Sequence, residues 1–216
     1  MALSFFSVLV YRFVNPPLTP LMVIRLFQQA ADDNRVARLE KDWVDLEDVS
    51  PWVTKAAIAS EDQRFESHNG FDFEAIEQAR KYNEKNKGKR KRGGSTISQQ
   101  LAKNLFLWPA RSWVRKGFET WFTFLIESLW PKRRIMEVYL NVIEMGDGVY
   151  GIEAAAREYF DTGARTLSKE KAALIVACWP SPLKWSPSKP SKFIRWKKNW
   201  ILRQMNNLGE PKLLGE

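Results

Sequence analysis

The chain has little cysteine and little histidine, and both shortages narrow its chemistry. Its 216 residues contain one cysteine, Cys178, and one histidine, His68. A single cysteine cannot form an internal disulfide, and Cys178 ends an apolar run, so it is expected to be a small buried hydrophobic residue. A single histidine cannot build a histidine-based metal site. The simplest interpretation of His68 is therefore a hydrogen-bonded structural imidazole.

Long hydrophobic runs are also missing. Residues 1–14 are almost wholly apolar, but a membrane-spanning helix needs roughly twenty such residues. We interpret residues 1–31 as a partial membrane anchor and juxtamembrane segment, whose anchor begins upstream, and residues 32–216 as the main domain. An ordinary buried terminal helix is the alternative for the first segment. Thr19 and Pro20 then predict a helix start, and the amphipathic stretch that follows could lie along a membrane or pack on the domain.

Sustained strand alternation and internal repeats are absent, and the residues that mark element boundaries are those typical of helix ends. A cap residue or an early proline marks each predicted helix start, at Thr19, Ser50, Asp72, Ser112, Ser168 and Ser191. Further helices are predicted over residues 132–145 and 151–160, and a linker rich in proline over residues 180–190. Ten tryptophans and thirteen phenylalanines suit a domain with a substantial core. The fold class is therefore mainly α, with at most a small sheet.

Acidic residues are outnumbered, 25 against 34 lysines and arginines, which gives a net charge of +9. This excess favours a polyanionic partner: nucleic acid, an anionic membrane or a phosphorylated substrate. Residues 84–92 hold no apolar side chain and predict a basic loop. That loop is either solvated surface or a cover over an anionic ligand.

A polar run from Gly93 to Asn104 opens one helix. At roughly 100° per residue, Ser95, Gln99 and Lys103 form one stripe, while apolar residues beginning at Ile97 form another. The stripe and the free N–H groups of a helix start predict a site for phosphate or pyrophosphate. The spacing of a P-loop is missing, so nucleotide binding is unsupported.

Two glutamates are candidates for chemistry. Glu61 is predicted at the negative end of a helix dipole near aromatic side chains, which makes its carboxylate costly to ionise, as a general base requires. A plain surface glutamate is the alternative. Glu119 follows Arg115 by four residues, so an intrahelical ion pair is its simplest interpretation.

A series of motifs over roughly residues 45–205 resembles, in content and in order along the chain, those of the peptidoglycan glycosyltransferases, glycosyltransferase family 51. The matching residues are Glu61-Asp62-x-x-Phe65-x-x-His68-x-Gly70, Gly94-x-Thr96-Ile97-Ser98-Gln99-Gln100-Leu101-x-Lys103-Asn104, Arg115-Lys116-x-x-Glu119, Glu137-x-Tyr139-Leu140-Asn141, Gly146, and Gly151-Ile152-x-x-Ala155-Ala156-x-x-Tyr159-Phe160. Ser98 stands where many relatives carry threonine. The usual transmembrane helix is at best partial.

The resemblance implies a lysozyme-like helical lobe with a smaller membrane-facing jaw, and a cleft that polymerises lipid II with inversion. Glu61 would be the general base, and Lys103 and Arg111 would stabilise the pyrophosphate. Glu119 would orient the donor phosphate directly, through Arg115, or through a divalent ion such as Mg²⁺ or Mn²⁺. The substrate-binding residues would be Ser95, Thr96, Gln99, Gln100, Asn104, Arg115, Lys116, Phe65 and His68. Glu137, Tyr139 and Asn141 would belong to the scaffold beneath the cleft.

The implied partners are lipid II, the growing glycan strand and an anionic membrane surface, with cell-division or elongation proteins also admitted. Nucleic acid is not expected. The implied location is the inner membrane, with the domain facing the periplasm. No cofactor is required by the resemblance. The strongest rival is a lysozyme-like muramidase or lytic transglycosylase, which would also use a glutamate at a helix end but would not need a cluster of cations.

Overall fold

The computed structural model describes residues 1–87, 93–110 and 112–214. In these ranges the chain forms ten α-helices: α1 (Ala2–Phe13), α2 (Pro20–Ala30), α3 (Pro51–Glu61), α4 (Phe73–Lys85), α5 (Ile97–Phe106), α6 (Trp113–Leu129), α7 (Lys132–Val142), α8 (Ile152–Phe160), α9 (Lys169–Cys178) and α10 (Lys192–Asn207). Much of the basic loop predicted over residues 84–92 lies outside the described residues. The mainly α fold class is confirmed, and it is consistent with the expected lysozyme-like lobe.

Local caps explain where most helices begin. The side chains of Thr19, Asp72, Ser112, Ser168 and Ser191 each accept a hydrogen bond from a backbone N–H in the first turn of the helix that follows. Each bond satisfies a donor that the helix itself leaves unpaired. The predicted starts of these five helices are therefore confirmed.

The sheet is small and has three short strands: β1 (Glu40–Lys41), β2 (Glu144–Gly146) and β3 (Val149–Tyr150), in the order β1-β3-β2. β3 runs parallel to β1 and antiparallel to β2. The helix predicted over residues 132–145 ends earlier, at Val142, because residues 144–146 pair with β3 instead.

The apolar core consists of two clusters that meet at α3. Val53, Ala57 and Ile58 face the larger cluster, which includes buried residues of α5, α6 and α7. Ala56 and Ala59 face the smaller cluster formed with α9 and α10. Because α3 is apolar on both of these sides, it is buried almost throughout. Its last residue is Glu61, so the core positions that carboxylate rigidly.

The first two helices lie against the rest of the domain. α1 packs on α6, and α2 packs on α5. Much of their outer surface stays apolar and exposed, including Phe6 and Phe27. In the described part of the chain, no helix combines the length and apolar character needed to cross a membrane.

Candidate active site

Glu61 ends α3 and is half-buried. Its Oε2 accepts a hydrogen bond from Gln100 Nε2 at 3.0 Å, and the Ser60 hydroxyl donates to its Oε1 at 3.1 Å. Gln100 lies on α5, so a single amide joins the end of one helix to the exposed face of another. The candidate base and the polar helix predicted from the sequence are therefore in direct contact.

The loop after Glu61 is attached to the start of α5 by Asp62. The Asp62 carboxylate accepts hydrogen bonds from His68 Nε2 at 2.9 Å and from the backbone N–H of Ile97 at 3.0 Å. The backbone N–H of Gly70 donates to His68 Nδ1 at 3.1 Å. Nδ1 is therefore an acceptor, and this pattern assigns the proton of a neutral His68 to Nε2. His68 is structural, as the simplest interpretation of its sequence context predicted.

Gly70 and Thr96 complete this attachment. The Thr96 hydroxyl donates to the carbonyl oxygen of Gly70 at 2.7 Å. Gly70 has a φ of +87°, and a Cβ there would lie 2.8 Å from Thr123 Cγ2 and 2.9 Å from Glu127 Cγ. Only glycine meets both the backbone and the steric requirement. The motif from Glu61 to Gly70 thus places Glu61 relative to α5.

The expected polar stripe on α5 needs correction. The helix begins at Ile97, so Ser95 precedes it, exposed and away from the cavity lining. Thr96 and Gln99 are buried and form a capping box, in which Gln99 Oε1 accepts from the backbone N–H of Thr96 at 3.0 Å. The side chains of Thr96 and Gln99 therefore stabilise the helix start and do not face a ligand.

Phe65 and His68 also lie outside the cavity lining. Phe65 is fully buried in the core, where the Lys132 ammonium sits 4.6 Å from the centre of its ring. The His68 side chain is 7 % exposed, and both of its ring nitrogens are engaged. These two residues support the loop that carries Glu61.

A cavity of about 530 Å³ opens beside α5. Gln100, Lys103 and Asn104 line it from α5, and Arg115 lines it from α6. The remaining walls come from α2, from residues 107–110, from the end of α7 and from the proline-rich turn after α9. Glu61 lies directly behind this lining, one hydrogen bond from it through Gln100.

Lys103 projects into this cavity. Its ammonium has no hydrogen bond or ion pair with any residue of the described ranges. Partial loss of water in the cavity lowers the pKa of Lys103 most, although the residue stays exposed; the positive Arg115 and Lys116 lower it further, and the negative Glu119 opposes them. An unpaired cation in a concave site is available to an anionic ligand.

Glu119 is held by two cations. Arg115 Nη1 donates to its Oε2 at 2.9 Å, and the Lys116 ammonium contacts its Oε1. Glu119 is 4 % exposed, so its carboxylate is fixed and orients Arg115. Arg115 lines the cavity, whereas Lys116 is not part of the lining. The ion pair with Arg115, predicted from the spacing, is confirmed. Arg111, the other predicted pyrophosphate ligand, lies outside the described residues.

The surroundings of Glu119 do not fit a divalent ion. Both of its carboxylate oxygens already meet a positive group, which would repel a metal. Across the ranges that the structure describes, no three or more His, Cys, Asp or Glu side chains come together as a metal site would require. The possible metal contact through Glu119 is therefore not supported by this geometry.

The motif around Tyr139 forms the expected scaffold, with one addition. Asn141 Oδ1 accepts from the backbone N–H of Val44 at 2.9 Å, and Glu137 Oε2 accepts from that of Leu46 at 3.2 Å. These two side chains fasten the segment before α3 to α7. Tyr139 differs, because it lines the cavity and its hydroxyl donates to Gln100 Oε1 at 3.1 Å.

Two long-range charge interactions, an ion pair beside the cavity and an attraction to Glu61, could not be predicted from the sequence. Arg25 Nε on α2 donates to Glu144 Oε1 on β2 at 2.9 Å, across 119 positions of sequence. Burial raises the pKa of Glu144, while Arg25 opposes the shift. Lys197 on α10 is half-buried and is attracted to Glu61; loss of water is the main cause that lowers the pKa of Lys197.

Comparison with known proteins agrees with this arrangement. A family model described as Transglycosylase matches residues 29–206. A protein of Bdellovibrio bacteriovorus named biosynthetic peptidoglycan transglycosylase is 54 % identical over 198 residues, which cover 92 % of this chain and 78 % of the relative. A protein of the same name from Bacteroides thetaiotaomicron is 54 % identical over 205 residues, covering 95 % and 82 %.

A third relative of that name, from Pseudomonas putida, is 51 % identical over 213 residues, which cover 99 % of this chain and 89 % of the relative. The family match therefore extends over nearly the whole domain and includes every element that builds the cavity except most of α2, whose lining residues Leu21 and Arg25 precede it. The chain belongs to the transglycosylase family and is a glycosyltransferase of that family.

Proposed function

We propose that this protein polymerises lipid II into peptidoglycan glycan strands, with inversion at the anomeric carbon and release of undecaprenyl diphosphate. One observation carries the proposal: on α5, Lys103 presents an unpaired ammonium to the cavity, and Gln100, three residues earlier, joins the cavity lining to the Glu61 carboxylate by one hydrogen bond. The names of the three relatives support it, since each is called a biosynthetic peptidoglycan transglycosylase.

The reaction needs a base on one side and positive charge on the other. Glu61 takes the proton of the acceptor 4-hydroxyl as its oxygen attacks the anomeric carbon of the donor sugar. A new C–O bond forms, and the bond from that carbon to the pyrophosphate oxygen breaks, so the leaving pyrophosphate gains charge. Lys103 stabilises that charge, and Arg111 is proposed to do so with it. Preorganised cations are effective here because they need no rearrangement during the reaction.

Other lining residues have supporting roles in this proposal. Gln100 and Asn104 hold the donor sugar, and Arg115, oriented by Glu119, approaches the phosphate side. Thr96, Gln99, Phe65 and His68 act indirectly, through the attachments that fix Glu61 and α5. Because the leaving group is already a stable anion, no acid is needed to protonate it. A muramidase cleaves an unactivated glycoside and does need such an acid.

The proposed site of action is the periplasmic surface of the inner membrane. Exposed apolar side chains on α1, α2 and α6 support attachment there, among them Phe6, Phe27, Trp113 and Phe118. Such a surface favours partial insertion into lipid. The net charge of +9 adds attraction to anionic headgroups. Lipid II itself resides in that membrane, so attachment brings enzyme and substrate together.

Incubation of the purified protein with labelled lipid II in detergent tests the proposal. We expect long glycan strands that lysozyme degrades to disaccharide units. A lytic enzyme would instead leave lipid II unpolymerised and release short fragments from preformed glycan. Absence of polymer from a folded preparation would contradict the proposal.

A further inference from the structure

Three side chains from three helices form a row that ends at Glu61. The Tyr139 hydroxyl on α7 donates to Gln100 Oε1 on α5 at 3.1 Å. Gln100 Nε2 donates to Glu61 Oε2, at the end of α3, at 3.0 Å. Tyr139 is 1 % exposed, so its hydroxyl has no bulk water as an alternative partner. These two hydrogen bonds therefore connect Tyr139, which is buried in the core, to the Glu61 carboxylate.

The chemistry of Tyr139 fixes the direction of the row. Burial is the main cause that raises the pKa of Tyr139 well above its ordinary value, and the negative charges of Glu61 and Asp62 raise it further. The phenol therefore stays protonated and available as a donor. By donating to Oε1 of Gln100, it supports the orientation in which the amide nitrogen faces Glu61. The flipped amide would present its carbonyl oxygen to the carboxylate, lose the bond to Glu61, and leave the phenol only as an acceptor from Nε2.

We propose that Tyr139 is a positioning residue for Glu61 and acts through Gln100. The hydroxyl helps to hold the amide in the orientation that donates to the carboxylate, and the amide restricts the rotation of the carboxylate. The proposal rests on the role of Glu61 as the base, and it assigns Gln100 a task beyond contact with the donor sugar. It also explains why Tyr139 reaches the cavity while its neighbours Glu137 and Asn141 bind backbone.

The charged groups around Glu61 have to be kept constant in any test. Lys103 faces it from α5 and Lys197 from α10, and Asp62 follows it in the chain. None of these is altered by a change of Tyr139 to phenylalanine. That change also keeps the ring, whose centre lies 5.7 Å from that of Trp179 in an edge-on contact. Only the hydroxyl is removed.

Tyr139→Phe is therefore the primary variant, measured over a range of lipid II concentrations. We expect kcat to fall on the order of 5- to 10-fold, as for the loss of one hydrogen bond, with KM changed less than about twofold. A fall in kcat with a nearly unchanged KM separates loss of positioning at the base from loss of substrate binding.

Tyr159→Phe is the matched control. The Tyr159 hydroxyl donates to the carbonyl oxygen of Met145 at 3.0 Å, so this variant also removes a tyrosine hydroxyl that has a protein partner. Because that bond connects α8 to β2 and involves neither Gln100 nor Glu61, we expect unchanged kcat and unchanged KM. Equal kinetic effects in the two variants would overturn the proposal.

A double-mutant cycle with Gln100→Met keeps the test decisive if Tyr139→Phe also loses stability. Without the amide, the hydroxyl has no route to Glu61, so Tyr139→Phe should slow Gln100→Met by less than about twofold. Independent, multiplicative losses would show a merely structural role and overturn the proposal.

Glu61→Gln separates this proposal from the proposed function. If Glu61→Gln polymerises at the wild-type rate, the base assignment fails and the positioning role fails with it. If Glu61→Gln is inactive while Tyr139→Phe keeps the kcat of the unmodified protein, the positioning role alone is wrong.

Discussion

Replacement of Lys103 by methionine should slow polymerisation without destabilising the fold. Methionine has nearly the length of lysine and no charge, so the change removes the ammonium while keeping most of the packing. Lys103 projects into the cavity without a hydrogen bond or ion pair in the described ranges. Its charge is therefore available for the leaving group and is of little use to the folded protein itself.

The expected rate loss follows from the role of a single preorganised donor. Removal of one such group typically costs on the order of 10²–10³ in rate, or about 2.7–4 kcal/mol of transition-state stabilisation. Arg111 is proposed to share the pyrophosphate charge, so we expect the lower end of that range, about 100-fold in kcat/KM. The assay is initial-rate polymerisation of labelled lipid II in detergent.

The expected stability change is small and has the opposite sign. The pKa of Lys103 is lowered in the folded state, mainly by loss of water. The unfolded chain therefore binds that proton more tightly, and a charged Lys103 favours unfolding at neutral pH. Because the Lys103 side chain keeps much contact with solvent, this effect is small, and Lys103→Met should leave Tm unchanged or raise it slightly in a thermal scan. Stability of the unmodified protein should also rise with pH as the folded ammonium loses its proton.

Lys132→Met is the matched control for the direction of the stability change. Its ammonium donates to Glu127 Oε1 at 2.8 Å and to the carbonyl oxygen of His68 at 2.7 Å. Loss of these bonds should cost about 2 kcal/mol and lower Tm by ~4–8 °C. A Lys103→Met protein with unchanged kcat/KM would refute the pyrophosphate assignment. A lower Tm would refute the reasoning about its charge.

Three further predictions concern the charge of Lys103, the Asp62 attachment and the membrane surface. Lys103→Arg should extend activity to higher pH. The pKa of Lys103 is lowered, so lysine loses its charge at a lower pH than usual, whereas arginine stays protonated; an alkaline limb at the same pH as in the unmodified protein would contradict this. Asp62→Asn should lower the free energy of unfolding by about 1–3 kcal/mol in urea titrations, since it weakens bonds to His68 and Ile97; unchanged stability would argue against the attachment. A double change of Phe27 and Trp113 to serine should weaken co-sedimentation with anionic vesicles while leaving the detergent assay nearly unchanged; equal sedimentation would reject this surface.

Helix starts could be predicted from the sequence because they depend on local interactions. Caps such as Asp72 and Ser112 marked helix starts correctly because the bond they make lies within one turn. The spacing predicts that Gln99 faces a ligand, whereas in the structure Thr96 and Gln99 form a capping box. A helical period shows which residues share a face, not whether that face is occupied by the helix's own cap.

Long-range contacts were not predictable in the same way. The pair of Arg25 and Glu144 and the approach of Lys197 to Glu61 each join distant parts of the chain. No spacing rule connects such positions, because tertiary packing alone brings them together. The early end of α7 has the same origin, since pairing between β2 and β3 outweighs the helical pattern of residues 143–145.

Polymerisation of labelled lipid II by Glu61→Gln, at matched protein concentration and with Tm checked, tests the central claim most directly. Glutamine keeps the size of the side chain and removes its ability to accept a proton as a base. We predict a folded protein that forms no detectable glycan while the unmodified protein forms long strands. Polymerisation by Glu61→Gln at the unmodified rate would contradict the account.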